Sequence, residues 1–445
     1  MLPSAESIQI IIPASTVILL VLSIKRPVYG VIAYFIVLNA KIGDMYPVLG
    51  AIRFELLTAI FVMGRIVLAG RGLLDVLPRV SRVNSWLWIL FFTGMASVAF
   101  SLFPAVSWSE GGYFLLKMTV FYVMIVSAVR TSGDLVKFLW AFILVTAWIA
   151  YEPVVNYLSG NVDEQLYGAV AFGRFGAATG HVALANTLNQ VMPVLVFFAF
   201  RNSKGLVKAV SVALLALLVF GVYASKSRGG FLGLMATAAG VVYFSRDRMK
   251  AALIAGAFAF VFLGVAAADY LSHMSTITEG VSSSRTIADR YLGLVNGISM
   301  MIKRPILGVG IGCYAEARRY YFHYYFYAHN LYGELLGELG LASLAWFTFI
   351  YMVYRGASAL KRVLNPAWAY DTVYIDILNA IQLSLVVRLL VGNFTHGSLI
   401  WFWFLAAALV VVVRNVLSRE RQVPYEGLKV PGDGSRYSTL ESRSY

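Results

Sequence analysis

The chain has 445 residues, of which 60% are apolar and 13% charged, against about 25% charged in soluble domains. With a mean hydropathy of +0.75, that composition excludes a soluble enzyme or binding module. The formal charge of +14 fits Lys and Arg placed in the loops of a membrane protein; no zinc-finger spacing or basic-aromatic recognition helix is present, so no nucleic-acid partner is expected.

Apolar runs of roughly 18 to 20 residues, the length of a membrane-crossing helix, recur along the chain. Backbone groups in lipid must pair internally, which leaves helices or a closed barrel, and continuous rather than alternating apolar runs exclude the barrel. The sequence therefore predicts an all-α polytopic membrane protein of about 12–13 transmembrane helices. The predicted spans begin with residues 8–24, 28–40, 54–70, 85–103 and 112–129. The sixth ends near Leu158, and 182–200 forms the seventh. The eighth ends near Ala224, the ninth at residues 246–250, and the tenth near Ala268. An eleventh is expected at 329–354 and two more near 372–391 and 398–413. This divides the chain into ten spans (1–268), a loop with interfacial helices (269–328), the last spans (329–413) and a polar tail (414–445) expected to be disordered.

The loops at 25–27, 71–82, 130–137, 201–208, 246–250 and 355–362, with the tail, hold most of the Lys and Arg, and the positive-inside rule assigns them to the cytoplasm. The loops at 104–111, 159–181, 225–230, 269–328 and 392–397 then face the other side. Thirteen spans place the N-terminus outside; twelve follow if one early segment is re-entrant or split. The first seven residues lack a basic n-region, which argues against a cleaved signal peptide. No internal repeat is apparent, which weakens an inverted-repeat transporter reading. The single Cys313 excludes an internal disulfide framework and a thiolate metal cluster.

Residues 269–340 are the long polar interruption, and chemistry-bearing side chains gather there. Arg174, Arg228, Arg290 and His329 fall on the outer side of the predicted topology. Arg228 opens the ninth span, where helix N-terminal amides already favour an anion. Arg285 and Arg290 share a predicted interfacial helix whose apolar side continues through Ile302. Guanidinium groups stay charged and fork onto phosphate oxygens, so several on one side of a membrane suggest a phosphate-bearing ligand. His329 has the pKa range of a general base or hydrogen-bond partner for a hydroxyl. The aromatic run 320–327, with Tyr324 and Tyr327, reads either as a headgroup-level belt or as a rim of rings for sugar.

Within the spans, Arg65, Lys117 and Arg388 are costly in hydrocarbon and should face a cavity or a partner, or snorkel. Glu334 and Glu338, four apart on one helix face, are candidates to pair with Arg388. Asp289 beside Arg290 is a minor candidate for orienting it. No paired-Asp motif for a divalent metal appears, so no metal or cofactor is expected.

Several of these segments resemble the O-antigen ligase superfamily of bacterial inner-membrane glycosyltransferases, which includes O-antigen polymerases and protein O-oligosaccharyltransferases. Arg290 through Gly310, ending Arg-Pro-Ile-Leu-Gly-Val-Gly, is similar to that family's arginine followed by a proline–glycine signature. His329-Asn330 before Gly340 is similar to its histidine motif, and Ser227-Arg228 with Leu232 resembles its Arg-x-x-x-Leu element. The stretch Arg174-Phe175-Gly176 to Gly180-His181 and Asn186 is a looser match, with Val182-Ala183 where the family pattern has Pro-Asn. The matching region is about residues 170–345.

The resemblance implies a GT-C-like fold of about twelve helices with a large periplasmic loop between late spans. It implies transfer of a glycan from undecaprenyl diphosphate to an acceptor hydroxyl at the periplasmic face of the inner membrane. The acceptor would be a lipid A-core sugar for a ligase, with a polysaccharide polymerase, a protein O-oligosaccharyltransferase and a non-enzymatic lipid or glycan transporter as alternatives. Membrane lipids are the surrounding partners. Carried over by position, Arg228 and Arg290 would hold the diphosphate and His329 would activate or orient the acceptor. Arg174, Arg285, Arg388, Tyr324, Tyr327 and Asn330 complete the candidate substrate contacts.

The charge alternation carries a topology prediction. A cysteine placed at Ser283 in an otherwise Cys-free variant should react with an impermeant thiol reagent in intact cells whose outer membrane is permeabilised. Labelling only after lysis of the inner membrane would invert the assigned sides.

Overall fold

In hydrocarbon, helices meet the demand for internal backbone pairing segment by segment, and the apolar runs fold accordingly. The computed structural model describes residues 5–40, 42–69, 81–160, 180–201, 203–253, 255–256, 285–395 and 397–421. The first runs form α1 (Ala5–Ser23), α2 (Pro27–Ala40), α3 (Phe54–Leu68), α4 (Arg82–Ala99) and α5 (Pro104–Ala128). They continue as α6 (Ser132–Leu158), α7 (His181–Phe200), α8 (Gly205–Ala224) and α9 (Arg228–Phe244). The later part holds α10 (Arg285–Lys303), α11 (Tyr314–Phe322), α12 (Leu331–Leu339), α13 (Ser343–Arg362), α14 (Ala369–Val391) and α15 (Phe402–Glu420).

The protein is an all-α polytopic membrane protein. Among the described residues seven helical segments are long and apolar enough to cross a membrane, and Ile12–Ser23, Pro27–Ala40 and Arg228–Phe244 are shorter apolar helices. Most of the predicted tenth span, the loop before residue 285 and the tail beyond residue 421 lie outside the described residues.

The bundle centres on α15, buried at every position from Phe402 to Val413, and on α14 beside it. Phe35 of α2 is the aromatic hub: its ring lies 6.0 Å from Phe121, 5.9 Å from Phe138, 5.8 Å from Phe142 and 5.5 Å from Trp401. Outward faces such as Val17, Ile18 and Val21 on α1 and Leu206, Val207 and Val210 on α8 are exposed and apolar, as lipid contact requires.

One end of the bundle carries cationic cross-ties. Arg201 pairs with Asp376 at 2.9 Å, Lys361 donates to Asn379 at 2.7 Å, and Arg246 donates to the Pro366 carbonyl at 2.9 Å. Glu420 accepts from the Ser132 amide at 2.9 Å, and Arg421 pairs with the buried Asp371. These ties explain why α15 continues through Glu420, past the expected tail boundary at Arg414.

The opposite end departs from a simple row of spans. The single span expected at 329–354 is present as the helical segment Leu331–Arg362, within which a 3₁₀ turn, Gly340–Ala342, separates α12 from α13. The segment 305–310 lies against this break and pairs its backbone. Leu341 donates to Pro305 (2.7 Å), Ala342 to Ile306 (3.0 Å), Val309 to Gly337 (3.0 Å) and Gly310 to Glu338 (3.1 Å). Gly308, in the left-handed region at φ 68, passes so close that a Cβ there would collide with the Glu338 backbone.

Above the break, α10 packs on α12 backbone to backbone. Gly293 and Gly297 on one helix, and Gly333 and Gly337 on the other, are each four apart, the small-xxx-small pattern that lets helices approach closely. The other side of α10 exposes Tyr291, Leu292, Val295, Ile298 and Ile302, the apolar stripe anticipated for an interfacial helix.

A Cβ at Gly297 would meet the Gly333 carbonyl oxygen, whereas one at Gly64 on α3 meets nothing within 4 Å. Gly297→Ala is therefore expected to cost about 1–3 kcal/mol or more through overpacking and to lower the apparent melting temperature in detergent. Gly64→Ala should leave it unchanged or slightly raised. Equal melting of the two variants would contradict the close contact.

Candidate active site

At the end away from the cationic ties, a cavity of about 1160 Å³ lies among α5, α7, α12, the α14–α15 turn and the aromatic run. Of the residues singled out by sequence, Arg290, His329, Tyr324, Tyr327 and Arg388 line it, together with Asp289, Lys117, Glu334, Glu338 and His181. Arg174 lies outside the described residues. Arg285 is the first residue of α10, with its side chain outside them.

His329 precedes α12 rather than opening it. Its backbone is left-handed at φ 45, and its ring meets Phe326 edge-on at 4.8 Å. The helix cap is Asn330, whose Oδ1 accepts from the amides of Tyr332 and Gly333, both at 3.0 Å. That oxygen is committed to two of the orphan N–H groups every helix start must satisfy.

Arg290 lies over the Phe394 ring, 5.5 Å from its centroid. Arg228 is the first residue of α9, behind the Ser227 cap whose hydroxyl accepts from Gly230 at 3.1 Å. Arg228 is not part of the cavity wall, but a Cβ on its neighbour Gly229 would stand 2.9 Å from Phe394. Both arginine segments thus converge on Phe394, which does line the cavity. Arg228 also keeps a buried Nη1 with no hydrogen-bond partner among the described residues.

The charged residues expected to need partners have them. Glu334 Oε2 accepts from Gly397 at 2.8 Å and Ser398 at 3.0 Å and interacts electrostatically with buried Arg388. Lys117 pairs with Glu55 at 3.2 Å, and Arg65 donates to the Ile24 carbonyl at 2.6 Å. Glu338 Oε1 accepts from the Tyr314 amide at 3.1 Å.

The proline–glycine signature is a strap beside the cavity. The Ser97 hydroxyl donates to the Leu307 carbonyl at 2.9 Å and accepts from Ile311 at 3.1 Å. Ser101 donates to Val309 at 3.0 Å and Ser107 to Ile311 at 2.7 Å. Below the strap, burial pushes the Cys313 thiol up to about 11. Burial also raises the Tyr314 hydroxyl, which donates to the Gly293 carbonyl.

The aromatic run is wrapped around a buried cation. Arg318, 2% exposed, sets its guanidinium 5.0 Å from the Tyr324 ring and 5.8 Å from Phe326 and donates to the Tyr327 carbonyl at 3.4 Å. Cation–π contacts gain strength when desolvated, and here they hold the segment that carries Phe326 to His329. The hydrogen bond to Tyr325, then burial, raises the Tyr327 hydroxyl.

Phe394, Arg318 and Glu110 escaped the sequence reading. Glu110 lines the cavity from a π-helical turn, Trp108–Gly112, a local widening that recurs at functional sites. Asn186 and Gln190, one turn apart on α7, also face the cavity; an i, i+4 polar pair inside an apolar span was the available signal.

Residues 213–348 match the family model described as O-Antigen ligase, a stretch that contains Arg228, Arg290 and His329. No curated protein matches the chain.

The raised Cys313 thiol gives a labelling prediction. Deprotonation is required for attack by the sulfur, so at pH 7 to 8 native protein should resist maleimide and react only after unfolding. Rapid labelling of folded protein would show that the strap opens.

Proposed function

We propose, from the match of residues 213–348 to the O-antigen ligase family model, that this chain is a member of that superfamily and transfers a glycan from undecaprenyl diphosphate to a lipid A-core hydroxyl. We place the reaction at the periplasmic face of a bacterial inner membrane, because the cationic cross-ties occupy the other end of the bundle and Lys and Arg favour the cytoplasmic side. The observation that supports the reading most directly is that Arg290 and His329 line one cavity, with the Arg228 segment joined to it through Phe394.

In the proposed reaction the acceptor oxygen bonds to the anomeric carbon as its bond to the diphosphate oxygen breaks. The electron pair leaves with the diphosphate, and the acceptor proton passes to His329. Charge develops on the leaving group, where fixed guanidinium groups are most effective because they need no reorganisation. An ionised diphosphate leaves without a general acid. Attack from the opposite face inverts the anomeric centre.

The test is transfer by purified protein from a defined undecaprenyl diphosphate glycan to lipid A-core. Transfer only to a second lipid-linked glycan would replace the ligase by a polymerase, and transfer to neither would overturn the reading. Arg228→Lys and Arg290→Lys keep charge but lose the fork, and each is expected to lower turnover by about 1.5–3 kcal/mol. His329→Ala should lose about 10²–10⁴-fold while the donor still binds. Substantial activity in His329→Gln would assign the histidine an orienting role, and wild-type activity in His329→Ala would remove it from the reaction.

A further inference from the structure

Three buried side chains in the cavity wall, Asn186, Glu338 and Trp401, have polar atoms that the described residues leave unpartnered. Asn186 on α7 is 3% exposed and Glu338 on α12 is 2% exposed. Both line the cavity, and neither Asn186 Oδ1 nor Glu338 Oε2 has a hydrogen-bond partner. Burying such atoms unpaired costs about 1–3 kcal/mol each, more for a charged group, so they point to a ligand.

Asn186 Oδ1 can only accept and Trp401 Nε1 can only donate, which restricts what that ligand can be. A phosphate brings only acceptors and has no proton for Asn186 Oδ1, so the diphosphate is assigned to the arginine wall. A cation would meet Lys117 and Arg388 in the same cavity, and no group of three or more His, Cys, Asp or Glu side chains among the described residues could hold a metal ion. The same cavity lining includes Leu399, Ile400 and the Trp401 ring, apolar surface that suits the C–H face of a sugar ring. A neutral molecule rich in hydroxyl donors, with apolar faces, meets all of these conditions.

We propose that Asn186 and Glu338 form a saccharide-hydroxyl subsite for the acceptor sugar. The assignment to acceptor rather than donor rests on the reaction proposed above: Glu338 belongs to the helix whose N-terminal flank is His329, while the donor diphosphate lies with Arg290. The subsite is preorganised, because Glu338 Oε1 is pinned by the Tyr314 amide at 3.1 Å and only Oε2 is left for a ligand. The free energy of a hydroxyl bonded there appears as acceptor affinity.

The test measures binding directly, apart from turnover. The probe is the core oligosaccharide released by mild acid from the producing cell's own lipopolysaccharide, with its binding to the purified protein measured by isothermal titration calorimetry. Glu338→Gln retains an oxygen for the Tyr314 amide but presents a donor to the cavity, and Asn186→Leu removes the second acceptor. Each is expected to weaken oligosaccharide binding about tenfold or more, with binding of undecaprenyl diphosphate unchanged. Should Glu338→Gln melt early, Asn186→Leu carries the test. Unchanged oligosaccharide affinity in the variants, or no binding by wild-type protein, overturns the subsite. Weakened undecaprenyl diphosphate-glycan binding with normal oligosaccharide binding overturns the acceptor assignment. Absence of transfer by a wild-type protein that still binds oligosaccharide through these two residues would count against the proposed reaction and leave the subsite standing.

Discussion

The backbone pairing between segment 305–310 and the break at 337–342 is the constraint on which the functional end depends. An interrupted helix leaves carbonyl and amide groups without intrahelical partners, and near a membrane such groups are tolerated only where protein satisfies them. Four hydrogen bonds from the strap and the turn do so, and the hydroxyls of Ser97, Ser101 and Ser107 tie the strap to α4 and α5. With the break stabilised, Glu334 and Glu338 line the cavity.

The electrostatics follow the same division. Charges at the cationic end are cross-ties between helices, each costing desolvation that a nearby carboxylate or carbonyl offsets. Within the cavity, Glu334 is held by two amides and Arg388, and Lys117 by Glu55. Asn186 Oδ1, Glu338 Oε2 and Trp401 Nε1 in the cavity wall, and Arg228 Nη1 outside it, have no hydrogen-bond partner among the described residues. A polar network incompletely paired inside the protein is unfavourable unless something binds it.

Arg318 shows how a surface-looking aromatic run becomes a fixed wall. Its buried guanidinium has ring faces at 5.0 and 5.8 Å, so Tyr324 and Phe326 are held from below while their segment runs to His329. The left-handed backbone of His329 is strained for a residue with a Cβ. It is maintained by anchors on both sides: the Arg318-bound rings before it and the Asn330 cap after it.

The sequence by itself determined the membrane class, the position of nearly every described helix, the amphipathic α10 and the need of Lys117 and Arg388 for partners. Each follows from a local cost: apolar length against bilayer thickness, or a charge within a span. It also singled out Arg290 and His329, now found on one cavity. Only the tertiary structure decided the break after α12, the strap, the Phe394 junction and the bond between Glu338 and the Tyr314 amide. Their partners lie far apart in the chain, Ser97 and Leu307 by 210 residues, and Glu338 and Tyr314 by 24. A backbone amide advertises nothing in its residue type about which distant carboxylate or carbonyl it will meet, so those contacts exist only once the helices have packed.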